Sequence, residues 1–181
     1  MSVVTHGPHL MTGFVAGLPF SANVLSEHEG GRTHTGFLAR DSRGREHRRI
    51  DLTPGLTMTV ITDPIAGKIY SVNSQAGAVS ERPWPYPADQ QTWNRFPDDP
   101  PDAERREIEG FVCFRLELSP HPPVPAPLGV SVIAWVSPRI GLVAEEFVTA
   151  EGDHGSWRLH DIDLAEPDPR LFEAPKGILS P

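Results

Sequence analysis

The chain has little of several features that usually point to a function. It holds one cysteine, Cys113, so no disulfide can form within it. No apolar run approaches the roughly 18 residues that a membrane-spanning helix needs. Only two of its 16 basic residues are lysines, and its net charge is −8. Because domains that bind nucleic acids present a basic face and a high pI, we expect no nucleic-acid partner and no membrane span.

The sequence also lacks the motifs of common enzymes and cofactor sites. It has no phosphate-binding loop, no glycine-rich dinucleotide motif, no serine nucleophile elbow and no helical zinc-ligand pair. On one extended strand His28 and His34 would lie about 20 Å apart, too far to share a metal. Cys113 has no assignable histidine partner and is interpreted as a small inert residue. We therefore expect no cofactor, no metal and no catalytic residue, with an unrecognised enzyme as the third interpretation.

The most apolar early stretch, residues 10–20, has three glycine or proline residues and no preceding basic segment. It is a poor signal peptide. The protein is therefore expected either to be cytoplasmic or to begin here downstream of an export signal.

The sequence does contain short runs in which apolar and polar residues alternate, together with 20 prolines and 16 glycines. In FVCFRLEL, residues 111–118, every second side chain is large and apolar, which is typical of a half-buried strand. Similar runs separated by turns predict a mainly β protein with about eight strands in an antiparallel meander. Helix signals are confined to residues 100–110 and 166–177, each long enough for one or two turns.

Two proline-rich segments interrupt this pattern. We expect an N-terminal tail over 1–18 and one domain over 19–177, with a proline- and aromatic-rich insertion at 81–107 and a proline-rich loop at 119–128. The insertion carries four aromatic side chains, which are costly to leave in water. They could cover an open face of the sheet, form a binding surface or belong to a mobile loop. These lid candidates are Trp84, Tyr86, Trp93 and Phe96.

Five arginines and a histidine fall within residues 40–49. With Ser42-Arg43-Gly44 as a three-residue hairpin loop, Asp41 would face Arg45 across the strands. The favoured interpretation is a hairpin tip whose charges are paired or solvated. The alternatives are an anion or acidic-partner site, formed by Arg45, His47 and Arg49, and a nucleic-acid site.

Several motifs occur in an order that resembles a family of uncharacterised bacterial proteins, mostly secreted or membrane-anchored. They are PFSANVLSE (19–27), GFLARDSRGREHR (36–48), ITDPIAGKIYSVN (61–73), IEGFVCFR (108–115), WVSPRIGLVAEE (135–146) and WRLHDIDLAEPDPRLFEAPKG (157–177). That family is similar to the lipoprotein-carrier, LolA/LolB-like fold. The resemblance implies a strongly curved antiparallel half-barrel, closed by helices or loops over an apolar cavity, in a periplasmic or secreted setting.

The resemblance makes a non-enzymatic binding module the leading hypothesis. Its concave face would hold a lipid or another hydrophobic ligand, with a cavity lined by Met58, Tyr70, Phe114 and Trp135. The alternative is a structural or sensory protein-interaction domain whose sheet is filled by its own side chains. An empty apolar cavity on the concave face would favour the first hypothesis, and a filled one would favour the second.

Overall fold

The computed structural model describes residues 18–84, 102–118, 131–148 and 152–176. These residues form a single antiparallel sheet of eleven strands. The strands are β1 (Phe20–His28), β2 (Arg32–Arg40), β3 (Glu46–Thr53), β4 (Leu56–Asp63), β5 (Lys68–Asn73), β6 (Ala78–Pro83), β7 (Arg105–Ile108), β8 (Phe111–Leu118), β9 (Ser131–Ser137), β10 (Gly141–Val148) and β11 (His154–Asp163).

The strands lie in the order β6-β5-β4-β3-β2-β1-β11-β10-β9-β8-β7. The first and last of these strands therefore pair in the middle of the sheet, and within the described ranges β6 and β7 form its two edges. The predicted mainly β meander is confirmed, but eleven strands replace the expected eight. Both edge strands fall at the ends of the predicted insertion, 81–107, and they carry charged residues instead of regular alternation, a common device against edge-to-edge aggregation.

The helix expected over 100–110 is wrong for the described part of that range. Residues 105–108 form β7, which pairs with β8 through a two-residue turn. Glu109 and Gly110 have φ values of 51° and 77°, as a type I′ hairpin turn requires. Gly110, the last residue of the expected helix, instead closes a hairpin, because Arg105–Ile108 gains backbone partners from the neighbouring strand.

The second predicted helix is present as one 3₁₀ turn, Pro169–Phe172. The carboxylate of Asp168 accepts a hydrogen bond from the backbone N–H of Arg170 at 2.9 Å, which caps the turn. Phe172 is buried and Leu171 is half-buried. This four-residue element is the one helix in the described residues, and none there is long and apolar enough to cross a membrane.

The arginine-rich segment is a hairpin tip, as predicted. Gly44 has a φ of 81°, and Arg40 pairs with Glu46 at the strand ends. Asp41 is buried and lies 2.6 Å from the Nε of Arg45. The charges of this tip are mostly paired within the hairpin, which favours a structural role for the cluster.

The strand register divides the side chains between two faces. Phe20, Leu38 and Leu159 share one face. In a flat sheet β2 and β10 would lie about 14 Å apart, since three strand spacings separate them. However, the guanidinium of Arg40, on that face of β2, donates to the carbonyl of Ile140 beside β10 at 2.8 Å. The sheet therefore curls towards this side, which we call the concave face, and we call the opposite side the outer face.

Candidate functional site

The four predicted cavity residues do not lie on one face. Phe114 pairs with Val136, so the preceding residue of β9, Trp135, points the other way. Met58 and Ile61 are three residues apart on β4, and Tyr70 pairs with Ile61. Traced through the register, Met58 and Phe114 lie on the concave face, whereas Tyr70 and Trp135 lie on the outer face. Alternation gives the face within a strand but not the relation between distant strands, which is why the sequence could not separate them.

Of the four lid candidates, only Trp84 is among the described residues. Its ring is half-buried and its backbone N–H donates to the carbonyl of Gly67 at 2.8 Å, which extends the β5–β6 pairing. Tyr86, Trp93 and Phe96 lie outside the described residues.

The middle of the concave face is filled by its own side chains. The most buried apolar residues there, Phe20, Leu38, Trp157 and Leu159, are at most 5% exposed. They belong to a core cluster that continues through β8, β9 and β10. In the described residues, this part of the face is therefore packed by its own side chains, the condition that favours the protein-interaction hypothesis.

A buried carboxyl group lies inside this core. Glu145 is 4% exposed, and one of its oxygens accepts a hydrogen bond from the indole N–H of Trp157. Its other oxygen is buried without a hydrogen-bond partner among the described residues. Burial raises the pKa of Glu145 to about 7, although the bond from Trp157 and the charge of Arg48 oppose the rise. Glu145 thus titrates near neutral pH, which strand alternation gave no reason to expect.

Arg40 is a second buried charge on the concave face. Its guanidinium donates to the carbonyls of Leu18 and Ile140 and lies 4.9 Å from the centre of the Phe20 ring. Burial lowers the pKa of Arg40, and the nearby charge of Glu46 partly offsets this. The sequence placed Arg40 at an exposed tip, yet the structure uses it to tie β2 to the β9–β10 turn.

An open depression of about 850 Å³ lies mainly on the outer face across β1, β9, β10 and β11. Its floor includes Leu25, Ile133 and Ala144, and its rim carries Glu27 and Arg158. We call it the outer groove. Its lining residues are Leu25, Glu27, His28, Glu29, Arg106, Ile133, Ala144, Glu145, Glu146, Phe147, Val148, His154, Gly155, Ser156, Trp157 and Arg158.

One side of the outer groove is held in place by a stacked group. The guanidinium of Arg106 lies 4.4 Å from the ring centre of Trp135 and 3.4 Å from a carboxylate oxygen of Glu146. The indole N–H of Trp135 donates to that same oxygen at 3.1 Å. Three strands thus fix a charged wall beside an apolar floor. Sequence reasoning missed this group because β7 was expected to be helical.

A smaller depression, about 290 Å³, lies where the β7–β8 and β9–β10 turns approach each other. Its walls are mainly aromatic and aliphatic, with two arginines among them. We call it the end pocket. It is lined by Arg105, Gly110, Phe111, Val112, Phe114, Ser137, Pro138 and Arg139.

The expected separation of His28 and His34 is wrong. Residues 28–32 contain the β1–β2 turn, so the two rings face each other across a hairpin with centroids 5.5 Å apart. Even so, the described residues contain no group of three or more metal-ligating side chains that could hold an ion. Cys113 is buried, as expected of an inert residue, and burial raises the pKa of its thiol to about 11.

No protein-family model matches the chain, and no curated protein matches it. Among solved structures it is similar to the complex of Pseudomonas aeruginosa MucA/MucB, with 16% identity over 87% of this chain and 56% of that chain, at a TM-score of 0.48. A crystal structure of MucB has 14% identity over 88% of this chain and 58% of that chain, at a TM-score of 0.47.

A third similar structure is the LolA superfamily protein NE2245 from Nitrosomonas europaea, with 10% identity over 90% of this chain and 93% of that chain, at a TM-score of 0.44. The present chain spans less than two thirds of both MucB matches.

Proposed function

We propose that the chain is a non-enzymatic, extracytoplasmic binding module that takes an extended segment of a protein partner in the outer groove. The observation that carries this proposal is the contrast between the two faces. The middle of the concave face is filled by residues such as Phe20 and Leu159, whereas the outer groove leaves about 850 Å³ open. An open surface with an apolar floor and a charged rim is the usual anatomy of a protein-interaction site.

The charges of the outer groove favour a basic partner. Arg106 is paired with Glu146 at 3.4 Å. Among the other exposed charges of the groove, the carboxylates of Glu27 and Glu29 outnumber the one guanidinium, that of Arg158. The whole chain has a net charge of −8, so long-range attraction acts in the same direction. We therefore expect the bound segment to combine apolar side chains, which would contact Leu25 and Ile133, with arginine or lysine beside them.

The extracytoplasmic setting rests on the resemblance of the sequence motifs to a secreted or membrane-anchored family. It is tested separately by fractionating cells that express the natural gene and probing each fraction with an antibody against the folded domain.

The binding proposal is tested by selecting extended peptides from a random phage-display library on the immobilised full chain. We expect enrichment of peptides that carry both basic and apolar residues. Glu27→Arg reverses a charge at the rim of the outer groove and should weaken their binding at least tenfold, a cost of about 1.4 kcal/mol.

Glu173→Arg is the matched control, because it makes the same charge change at an exposed position outside the outer groove. It should leave peptide binding within twofold of the wild type. Recovery of no peptide, or equal loss in both variants, would contradict a specific role for the outer groove.

A hydrophobic ligand on the concave face is the second candidate. The observation that favours it is the end pocket, where Phe114, one of the predicted cavity residues, forms part of an apolar wall. Native mass spectrometry of the chain purified without detergent tests this candidate, because a retained lipid appears as added mass. Delipidated protein that takes up no apolar compound would contradict it.

A further inference from the structure

The end pocket combines an apolar wall with two cationic side chains. Phe114 and Val112 lie on the concave face of β8, and Arg105 is the cross-strand partner of Phe114 on β7. The β9–β10 turn supplies Pro138 and Arg139 from the other side.

Arg139 is held at the rim of this pocket. Its backbone N–H donates to the hydroxyl of Ser137 at 3.2 Å, which fixes the start of the turn. Its guanidinium lies 5.6 Å from the centre of the Phe111 ring, within range of a cation–π contact. In the described part of the chain, no carboxylate forms an ion pair with Arg139. A positive charge is thus positioned over an apolar wall.

Val112 is an exposed apolar residue in the lining of the end pocket. It is 58% exposed, whereas Phe111 and Phe114 beside it are at most 8% exposed. A large aliphatic side chain left in water next to a pocket gains from any apolar group that covers it.

We propose that the end pocket binds a single-chain amphiphile with an anionic head group. The head group would lie at Arg139, and the alkyl chain would cover the exposed side chain of Val112. This proposal rests on the second candidate function and adds the chemical class of the ligand. A volume of about 290 Å³ is at the lower end of the range for ligand sites, and it holds about ten water-sized groups. It therefore suits one short chain and not several acyl chains.

The test is a titration of the isotope-labelled full chain at pH 8 with octanoate, octyl phosphate or 1-octanol, each below its aggregation limit. Binding is measured from the NMR chemical-shift changes. The three probes share one chain length, and the first two are anions at this pH. We expect at least one anion to bind ten times or more tightly than octanol, with the largest shifts at Val112 and Phe114. The two anions distinguish a carboxylate from a phosphate head group.

Arg139→Gln should weaken the anion at least tenfold and leave octanol unchanged, since it removes the charge and keeps most of the side chain. Val112→Glu should weaken all three probes by placing a carboxylate on the apolar wall. Ile65→Glu is the matched control, because Ile65 is 59% exposed in the β4–β5 turn, outside the end pocket. It should change nothing.

The two proposals fail in different ways. Equal binding of octanol and the anions, unaffected by Arg139→Gln, would overturn the anionic class and leave the hydrophobic-ligand candidate standing. Binding of none of the three probes would overturn both. Binding that Ile65→Glu weakens as much as Val112→Glu would overturn the end pocket as the site.

Discussion

Two parts of the same sheet are packed in different ways. In β1, β2 and β7–β11 the apolar residues of both faces form one core cluster, and on the concave face the curl of the sheet brings them together. That cluster contains no residue of β3–β6. The buried residues of β4, β5 and β6 instead include Ile61, Tyr70 and Val79, which share the outer face.

The outer face of β3 and β4 is covered by the C-terminal segment. The imidazole Nδ1 of His47 lies 2.8 Å from the carbonyl of Leu171, and the guanidinium of Arg45 lies 5.0 Å from the ring centre of Phe172. Ser42 donates from both its N–H and its hydroxyl to Glu166, at 3.1 Å each. The strands of the two parts have similar sequence patterns, but their apolar side chains are buried in different ways. In β1, β2 and β7–β11 the curvature of the sheet contributes to burial, whereas in β3 and β4 a short C-terminal element covers the outer face.

The comparison is tested most strongly by Phe172→Ala. Emptying a buried aromatic site costs about 3–5 kcal/mol, and Phe172 is 2% exposed. We expect this loss in urea unfolding, with increased hydrogen exchange first in β3 and β4. Leu171→Ala should cost less, because Leu171 is only half-buried, and Glu173→Ala should cost almost nothing. A loss below about 1 kcal/mol for Phe172→Ala would mean that the terminal segment does not stabilise this part of the sheet.

Glu145 lies on β10, in the other part of the sheet, and its ionisation should make the stability of the protein depend on pH. The folded pKa of about 7 lies above the ordinary value of 4.5, so between these pH values the folded protein keeps a proton that the unfolded chain has lost. This contribution to stability is complete below pH 4.5 and is lost as the pH rises to about 7. Its size is roughly 3 kcal/mol, since each pKa unit corresponds to about 1.4 kcal/mol.

Glu145→Gln should remove this dependence and make the protein more stable than the wild type above pH 7. Denaturant unfolding from pH 5 to pH 8 measures it. Glu146→Gln is the control on the same strand, because its half-exposed side chain lies on the outer face, and it should keep the wild-type slope. A wild-type stability that does not fall over this range would contradict the shifted pKa.

The smallest effects are expected at the hairpin tip. Arg45→Ser should cost about 1–3 kcal/mol, because it leaves the buried carboxylate of Asp41 without its charged partner. Arg43→Ser should cost less than about 0.5 kcal/mol, as is usual for exposed positions. Thermal unfolding measures the loss of stability in each variant. Equal losses would show that the ion pair between Asp41 and Arg45, at 2.6 Å, adds nothing to stability.

The sequence predicts most strands because alternation and turn residues are local signals. FVCFRLEL matches β8 residue for residue, and the helix signal over 166–177 contains the terminal turn Pro169–Phe172. Local signals fail where a distant partner decides the structure. Arg105–Ile108 is a strand only because β8 pairs with it, and Arg40 is buried only because the sheet curls towards Ile140.

The candidate sites were harder to predict than the strands. The resemblance to the half-barrel fold places Tyr70 and Trp135 beside Met58 and Phe114 in one cavity. Their separation depends on the cumulative register over several strands, and a bulge between Leu142 and Ala144 on β10 is part of that register. A single sequence contains no local signal for such a bulge.

The pairing of β1 with β11 has a consequence for the order of folding. Val24 and Leu159 are partners in the middle of the sheet although about 135 residues separate them. All other strand pairs are neighbours along the chain, so two meanders, β1–β6 and β7–β11, can form from local contacts as the chain emerges from the ribosome. The β1–β11 pairing that joins them can form only after the last strand has been synthesised. Closing such a long loop is slow because of its entropic cost. Until then β1 and β11 are unpaired edge strands, and we expect the nascent protein to be most prone to aggregation at these two strands, whose pairing later joins the two halves of the sheet.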